Sequence, residues 1–259
     1  MGKENKTRDA IDAVTGLVKA VPVYKDLVQP AAKEVGVGLQ KTVQLALAPI
    51  SGLVWGFDKI KDFVGTSVAK RLEKIPENQI KTPLPQIAGP ALEALKYTGH
   101  DENLREMFAK LIATSMDEAT AVNAHPSFVE IIRQLNADEA MICRLLKNNA
   151  DWPIANIHLE EQDGFRDGIR HFSTLGYLAS CQFPKLIQRY LDNLERLGLI
   201  KIDFDRVFAE KNKYVELESH ADFVTFLDDI KKSGQKSKTE RGVISRTIFG
   251  KHFLDACVD

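Results

Sequence analysis

Cysteine is scarce in this 259-residue chain, which carries only Cys143, Cys181 and Cys257. The count is odd and no two stand at metal-ligand spacing. A disulfide framework and a structural zinc site are therefore disfavoured, and a reducing cytoplasm is the natural compartment. The six histidines, His100, His125, His158, His171, His220 and His252, form no HxxxH pair. A surplus of one charge is missing too, since the net charge is -1, and a chain so balanced is not built as a whole to coat nucleic acid. No run reaches the ~18 to 20 apolar residues of a spanning helix. The first residues, MGKENKTRDAIDAV, lack the uninterrupted apolar core of a signal peptide. There is no GxxxxGK(S/T) loop, no GxGxxG after a strand and no GxSxG elbow. Gly36 and Gly38 read as packing glycines, Glu106, Asp117 and Glu130 as solvated helix faces, and His125 and Ser127 as caps of a helix start. No catalytic residue, metal or cofactor is implied, and a non-enzymatic protein is expected.

What is present is unevenly charged and mainly helical. Residues 1–76 hold 12 Lys and Arg against 8 Asp and Glu, and the remainder holds 23 against 28. Ile11, Val14, Val18 and Val21 form a stripe at helical spacing, broken by Pro22 and Pro30. From Leu53 the period becomes clear through Phe57, Ile60, Val64, Val68, Leu72 and Ile75, an amphipathic helix of about six turns. It follows an uncharged window, Thr42 to Phe57, which as a helix would reach only ~24 Å against the ~30 Å hydrocarbon core. Pro49 would kink it, and lengthening it would draw Lys41 or Asp58 into lipid. The face made by Leu53, Trp55, Phe57, Ile60, Val64 and Val68 still needs a cover, since its burial represents on the order of 10 kcal/mol. Its own core, a second copy, a protein partner or a membrane surface would each serve. Gly52, Gly56 and Gly65 would permit close helix approach, and Trp55 suits either a core or a lipid interface.

Residues 76–90, PENQIKTPLPQIAGP, read as a Pro-rich connector closing a 1–75 N-terminal helical region. A central helical layer, 91–135, follows: Ala91 to Tyr97, then a helix with Asp101 and Glu102 in its first turn, then HPSFVEIIRQL with Pro126 at its start. Residues 136–259 have a different texture. Asn136 and Glu139 form a capping-box pattern, PIANIHLEE alternates as a strand, and QFPKLIQRYLDNLERL is an amphipathic helix with Gly198 as its C-cap. IKIDF reads as a strand, SHADFVTFLDDI as a helix and KKSGQKSKTERG as a mobile basic loop. RGVISRTIFGKHFLDACV reads as a strand, a break at Gly250 and a terminal helix. This order resembles a winged-helix domain, in which the helix ending LERLGLI is the one that enters the major groove. On that reading Lys185, Gln188, Arg189, Asn193 and Arg196 face nucleic acid, and Lys231, Lys232, Lys236, Lys238 and Arg241 reach phosphates. Asp192 and Glu195 on the same helix would repel phosphate, and winged helices also serve as protein-interaction modules. The expected fold is therefore mainly α: an N-terminal helical region and central helices, with a C-terminal winged-helix-like α+β domain.

Three stretches carry a family resemblance: APISGLVWGFDKIKDFV, GPALEALKYTGHDENLREMFAKLIATSMD and HPSFVEIIRQLNADEAMI. Together they resemble the Abi-alpha (abortive infection alpha) family of bacterial proteins over roughly residues 30–200. The resemblance implies a bacterial protein with a role in defence against phage, and it carries over no site residues. The function expected is phage defence through helix-mediated contacts with a protein partner, a second copy or a membrane surface. A winged-helix DNA-binding regulator is the alternative. The place expected is the cytoplasm, with the membrane periphery as the second possibility.

Overall fold

The computed structural model describes residues 54–149 and 151–259. The stripe at residues 11–21, Gly36, Gly38, Gly52 and Leu53 lie outside the described residues. The chain divides into two compact units, the first ending at Gln134 and the second spanning Leu135–Asp259. The Pro-rich stretch expected to separate domains lies inside the first.

Four helices build the described part of unit 1. Helix α1 (Phe57–Leu72) buries Ile60, Val64, Val68 and Leu72, a strict four-residue period, with Gly65 on the same side. Its principal contact is α3 (Glu102–Met116), and it also touches α2 (Pro85–Thr98). Helix α3 is the centre of the unit. Asp101 caps it by accepting from the Leu104 amide at 3.0 Å, and Met107, Phe108, Leu111, Ile112 and Met116 are buried along it. Helix α2 starts six residues earlier than the connector reading expects. Pro85 occupies its first turn, where a missing N–H is harmless, and Pro90 interrupts only the bond to the first turn. Before it, Ile80 bridges Asp117 in antiparallel fashion, with Lys81 N donating to Met116 O and Glu118 N donating to Gln79 O. The prolines thus shape a strap tied to the end of α3. Helix α4 (Ser127–Arg133) buries Phe128, Val129, Ile131 and Ile132. His125 Nδ1 accepts from the Ser127 amide at 3.1 Å, the capping role expected of this pair.

Unit 2 is an α+β fold. After α5 (Ala137–Asn148) come β1 (Asp151–Glu161), β2 (Gly164–Phe172), α6 (Leu175–Leu178), α7 (Ile187–Arg196), β3 (Ile200–Asp203), α8 (Val215–Glu218), α9 (Ala221–Lys232), β4 (Ser237–Arg246) and α10 (Ile248–Cys257). The four strands form one antiparallel sheet in the order β2-β1-β4-β3. Ala155, Ile157 and Leu159 share one face of β1 and join Phe172, Leu217, Phe223 and Ile230 in a buried cluster. Alternation along β1 leaves Asn156 and His158 on the other face.

Three local expectations need correction. Strand β2, GFRDGIRHF, is absent from the sequence reading, because an edge strand exposed on most of its length carries little apolar alternation. The basic loop at 231–242 is mostly ordered structure. Helix α9 runs to Lys232, Gly234 turns the chain at φ +75, and β4 begins at Ser237, paired with Leu159. Its polarity reflects the solvated side of a sheet. Gly250 breaks nothing. It lies inside α10, whose first turn is capped by Thr247 Oγ1 accepting from the Gly250 amide at 2.7 Å. Gly198 does act as a C-cap, at φ +73. The Leu199 amide donates to Leu194 O and the Gly198 amide to Glu195 O, the paired bonds of a Schellman end.

Gly250 is required by proximity instead. A Cβ built there would stand 1.9 Å from the Leu199 carbonyl oxygen. Gly250→Ala gains up to ~1 kcal/mol of helix propensity but must push α10 from the α7–β3 junction, at about 1 to 3 kcal/mol or more. Chemical denaturation of the full chain should show a net loss, and unchanged or increased stability would contradict this close approach.

Candidate interaction surfaces

Of the described residues of the first candidate face, Trp55, Ile60, Val64 and Val68 are buried in unit 1 and Phe57 is exposed. The unit's own core is therefore what covers it. Trp55 meets Phe63 edge-on at 5.5 Å, donates its amide to Lys96 O at 2.8 Å and lies against Gly99, where an added Cβ would be 2.4 Å from the indole. No helix among the described residues is long and apolar enough to cross a membrane.

The second candidate face lies on α7, and its position depends on the start of α5. Asn136 and Glu139 form the complete capping box expected of them. Asp138, next to them and 5% exposed, reaches across unit 2. Its carboxylate accepts from the Gln182 amide at 2.7 Å, the Phe183 amide at 3.0 Å and Tyr190 Oη at 2.7 Å. Burial alone would raise this carboxyl's pKa, but the Tyr190, Gln182 and Phe183 donors outweigh it and hold the group below its ordinary value. Burial, reinforced by Asp138, pushes the Tyr190 hydroxyl up, so it remains a donor. Glu139 is shifted upward, chiefly by burial, and its Oε1 accepts from Asn193 Nδ2 at 2.9 Å. Asn193 Oδ1 in turn accepts from Arg196.

The five predicted residues thus divide. Gln188 and Arg189 are exposed. Asn193 and Arg196 are drawn into the Glu139 chain, and Lys185 pairs with Asp222 at 3.1 Å. Asp192 lies within 3.0 Å of His171 Nδ1, and Glu195 accepts from the Ile202 amide at 2.7 Å. Among the further basic residues, Lys231 and Lys232 pair with Asp228 and Asp229, while Arg241 forks onto Glu218. Unit 2 holds 18 Lys and Arg against 20 Asp and Glu. The face is mixed in charge, and much of that charge is internally paired.

At the N-terminal end of α7 lies a cleft of about 330 Å³, walled by Ile169, Phe172, Ile187 and Phe226, with Tyr177, Lys185 and Asp222 among its polar groups. Tyr177 donates to Asp222 and meets the His220 ring, tilted at 43°, with centroids 4.4 Å apart. The Tyr177 hydrogen bond, with Lys185 adding to it, lowers Asp222, while burial and Asp222 push Tyr177 up to about 12. Beside the cleft, Phe183 is 55% exposed and Leu186 37%. Sequence reasoning missed Tyr177, Asp222 and Asp138, because each finds its partner some 45 to 52 residues away, where no local pattern points.

The chemistry available is limited. Burial pushes Cys143 up to about 12 and Cys181 up to about 11, so both stay protonated thiols. Among the described residues no group of three or more His, Cys, Asp and Glu side chains is placed to hold a metal ion.

The family model for abortive infection alpha matches residues 56–257. No curated protein matches the chain. A solved structure of an uncharacterized protein from the hydrocarbon-degrading marine bacterium Alcanivorax borkumensis SK2 is 17% identical, with 55% of this chain and 96% of that chain covered, at a TM-score of 0.37. A likeness of that degree carries no argument about function.

The Asp138 clamp has a pH signature. Its folded pKa is depressed, so it stabilises above the unfolded carboxylate range, about 3.9, and that stability is lost as pH falls through the lower folded value. Glu139, shifted upward, acts in the opposite sense. Asp138→Asn should remove the Asp138 part of the acid sensitivity. Asp138→Ala should cost about 2 to 3 kcal/mol near neutrality, through orphaned donors. Denaturation midpoints across the acid range check both, and an Asp138→Asn curve parallel to wild type would contradict the clamp.

Proposed function

The chain belongs to the abortive infection alpha family, and from that premise we propose that it takes part in defence against phage, without catalysing a reaction, through a protein contact made at the N-terminal end of α7. The observation that carries this reading is the grouping of exposed Phe183 and Leu186 beside an apolar-walled cleft. A protein partner recognises such a patch by apolar anchors set among satisfied polar groups. The local charge favours a protein over a polyanion, because Lys185 and Arg196 are already engaged and Asp192 stands 64% exposed.

A second reading has its own support. With the β2 hairpin arm and the α8–α9 insertion set aside, unit 2 runs helix, strand, helix, helix, strand, strand, helix, with the last sheet strand between the first and the second. That order supports a winged-helix reading, on which α7 takes the recognition-helix position. A DNA-binding regulator would use Gln188 and Arg189, which are exposed.

Phage challenge of bacteria producing the full chain separates the two. Wild type should lower plaquing efficiency, and Phe183→Asp with Leu186→Asp should return it to within about tenfold of an empty control, as expected when hot-spot anchors worth ~2 kcal/mol or more are lost. Protection that survives this pair but fails in Arg189→Ala, together with salt-dependent DNA binding, would favour the regulator and overturn the protein contact.

A further inference from the structure

Among the described residues of unit 1, packing leaves one buried cationic donor without an acceptor. Arg105 on α3 is partly buried, and its Nε is fully enclosed with no acceptor. Its Nη1 reaches the Gly99 carbonyl only at 3.4 Å. A guanidinium does not shed its proton in a protein, so this charge persists. It lies between two rings, 5.9 Å from Trp55 and 5.6 Å from Phe63. Lys59 Nζ stands 4.7 Å from the same indole. Cation–π attraction steadies both charges, but it gives the Nε–H no acceptor. A buried donor left unmet calls for an explanation.

The surroundings indicate what would supply one. Val54 and Phe57 are 40% and 38% exposed, and Tyr97 is 54% exposed. Tyr97 follows Lys96, whose carbonyl holds the Trp55 amide. In the sequence, Thr42–Phe57 is free of charge and ends at this point. Two cations and the exposed apolar side chains of Val54, Phe57 and Tyr97 thus gather around the buried Trp55. This combination suits the headgroup layer of a bilayer, where aromatic rings settle and basic side chains meet phosphates.

We propose that Arg105 and Lys59, framed by Trp55, bind the phosphate of an anionic phospholipid headgroup. The guanidinium fork matches two phosphate oxygens, and the unmet Nε–H is one of its tines. A swing of the side chain toward the surface brings that tine to an acceptor. Exposed Asp58 and Glu102, in the first turns of α1 and α3, oppose the attraction, so binding requires a densely anionic surface. The site leaves Ile60, Val64 and Val68 in the core and does not require α1 to come free. It is independent of the contact at α7.

The test is flotation of the full chain at low salt with phosphatidylcholine vesicles and with vesicles rich in phosphatidylglycerol. Trp55 emission is read in a Trp152→Phe background. Wild type should float with the anionic vesicles only, with a change in Trp55 emission as the cations beside its ring are engaged. Arg105→Gln and Lys59→Gln should each weaken binding about fivefold, the loss of one surface cation. Arg105→Lys should fall between, because it keeps the charge but not the fork. Lys59 is exposed, so its variant remains informative if an Arg105 variant melts early. Flotation unchanged in both Gln variants, or no flotation, would overturn the proposal. A Trp55 response to inorganic phosphate with none to vesicles would overturn it as well, by assigning the site to a free anion.

Discussion

Unit 2 is organised by one buried carboxylate. Asp138 takes two backbone amides and a phenol from the 182–190 segment while standing at the first turn of α5. A carboxylate so enclosed is tolerable only because its oxygens are answered by donors. The consequences run outward. The turn at Gln182–Phe183 is fixed, so the 3-10 turn at Pro184–Leu186 and the first residues of α7 follow in one orientation. Glu139, the neighbouring residue, holds Asn193 and through it Arg196 near the other end of that helix. Two adjacent acids thus grip α7 at both ends. The far end is sealed by Gly198 and by the close approach of Gly250 to Leu199.

Much of this architecture is legible from local chemistry. The Asn136–Glu139 box, the His125 cap and the Gly198 stop are short-range signals and each has the expected geometry, while Asp101, read as a first-turn charge, is the N-cap itself. The helical period of α1 is legible too, but not its cover. An apolar stripe states that something must bury it, and only tertiary structure identifies that partner as α3. The misread elements share a cause. Strand β2 and the start of β4 have polar faces in water, so their alternation is weak, and Gly250 and Pro90 were judged by intrinsic propensity where packing decides. The Tyr177–Asp222 and Asp138–Tyr190 pairs are matters of topology and leave no trace in sequence spacing.

Family membership places the chain with abortive infection proteins. Its cysteine thiols are buried, and among its solvent-facing apolar groups are Phe183 and Leu186 in unit 2 and Val54, Phe57 and Tyr97 in unit 1. Each of these two sets sits beside polar groups that can impose selectivity, the Tyr177–Asp222–Lys185 set in one case and the Arg105–Lys59 pair in the other. A protein with a separate surface on each unit can couple recognition to location by joining two modest affinities.

The most direct test of this account is amide hydrogen exchange of the full chain, wild type against Asp138→Asn, at neutral pH. If Asp138 organises the α7 face, protection should fall at Gln182, Phe183 and along Ile187–Arg196, while β1, β4 and the helices of unit 1 keep theirs. Protection that is unchanged at 182–196, or lost evenly across unit 2, would contradict the claim that this carboxylate presents the contact surface.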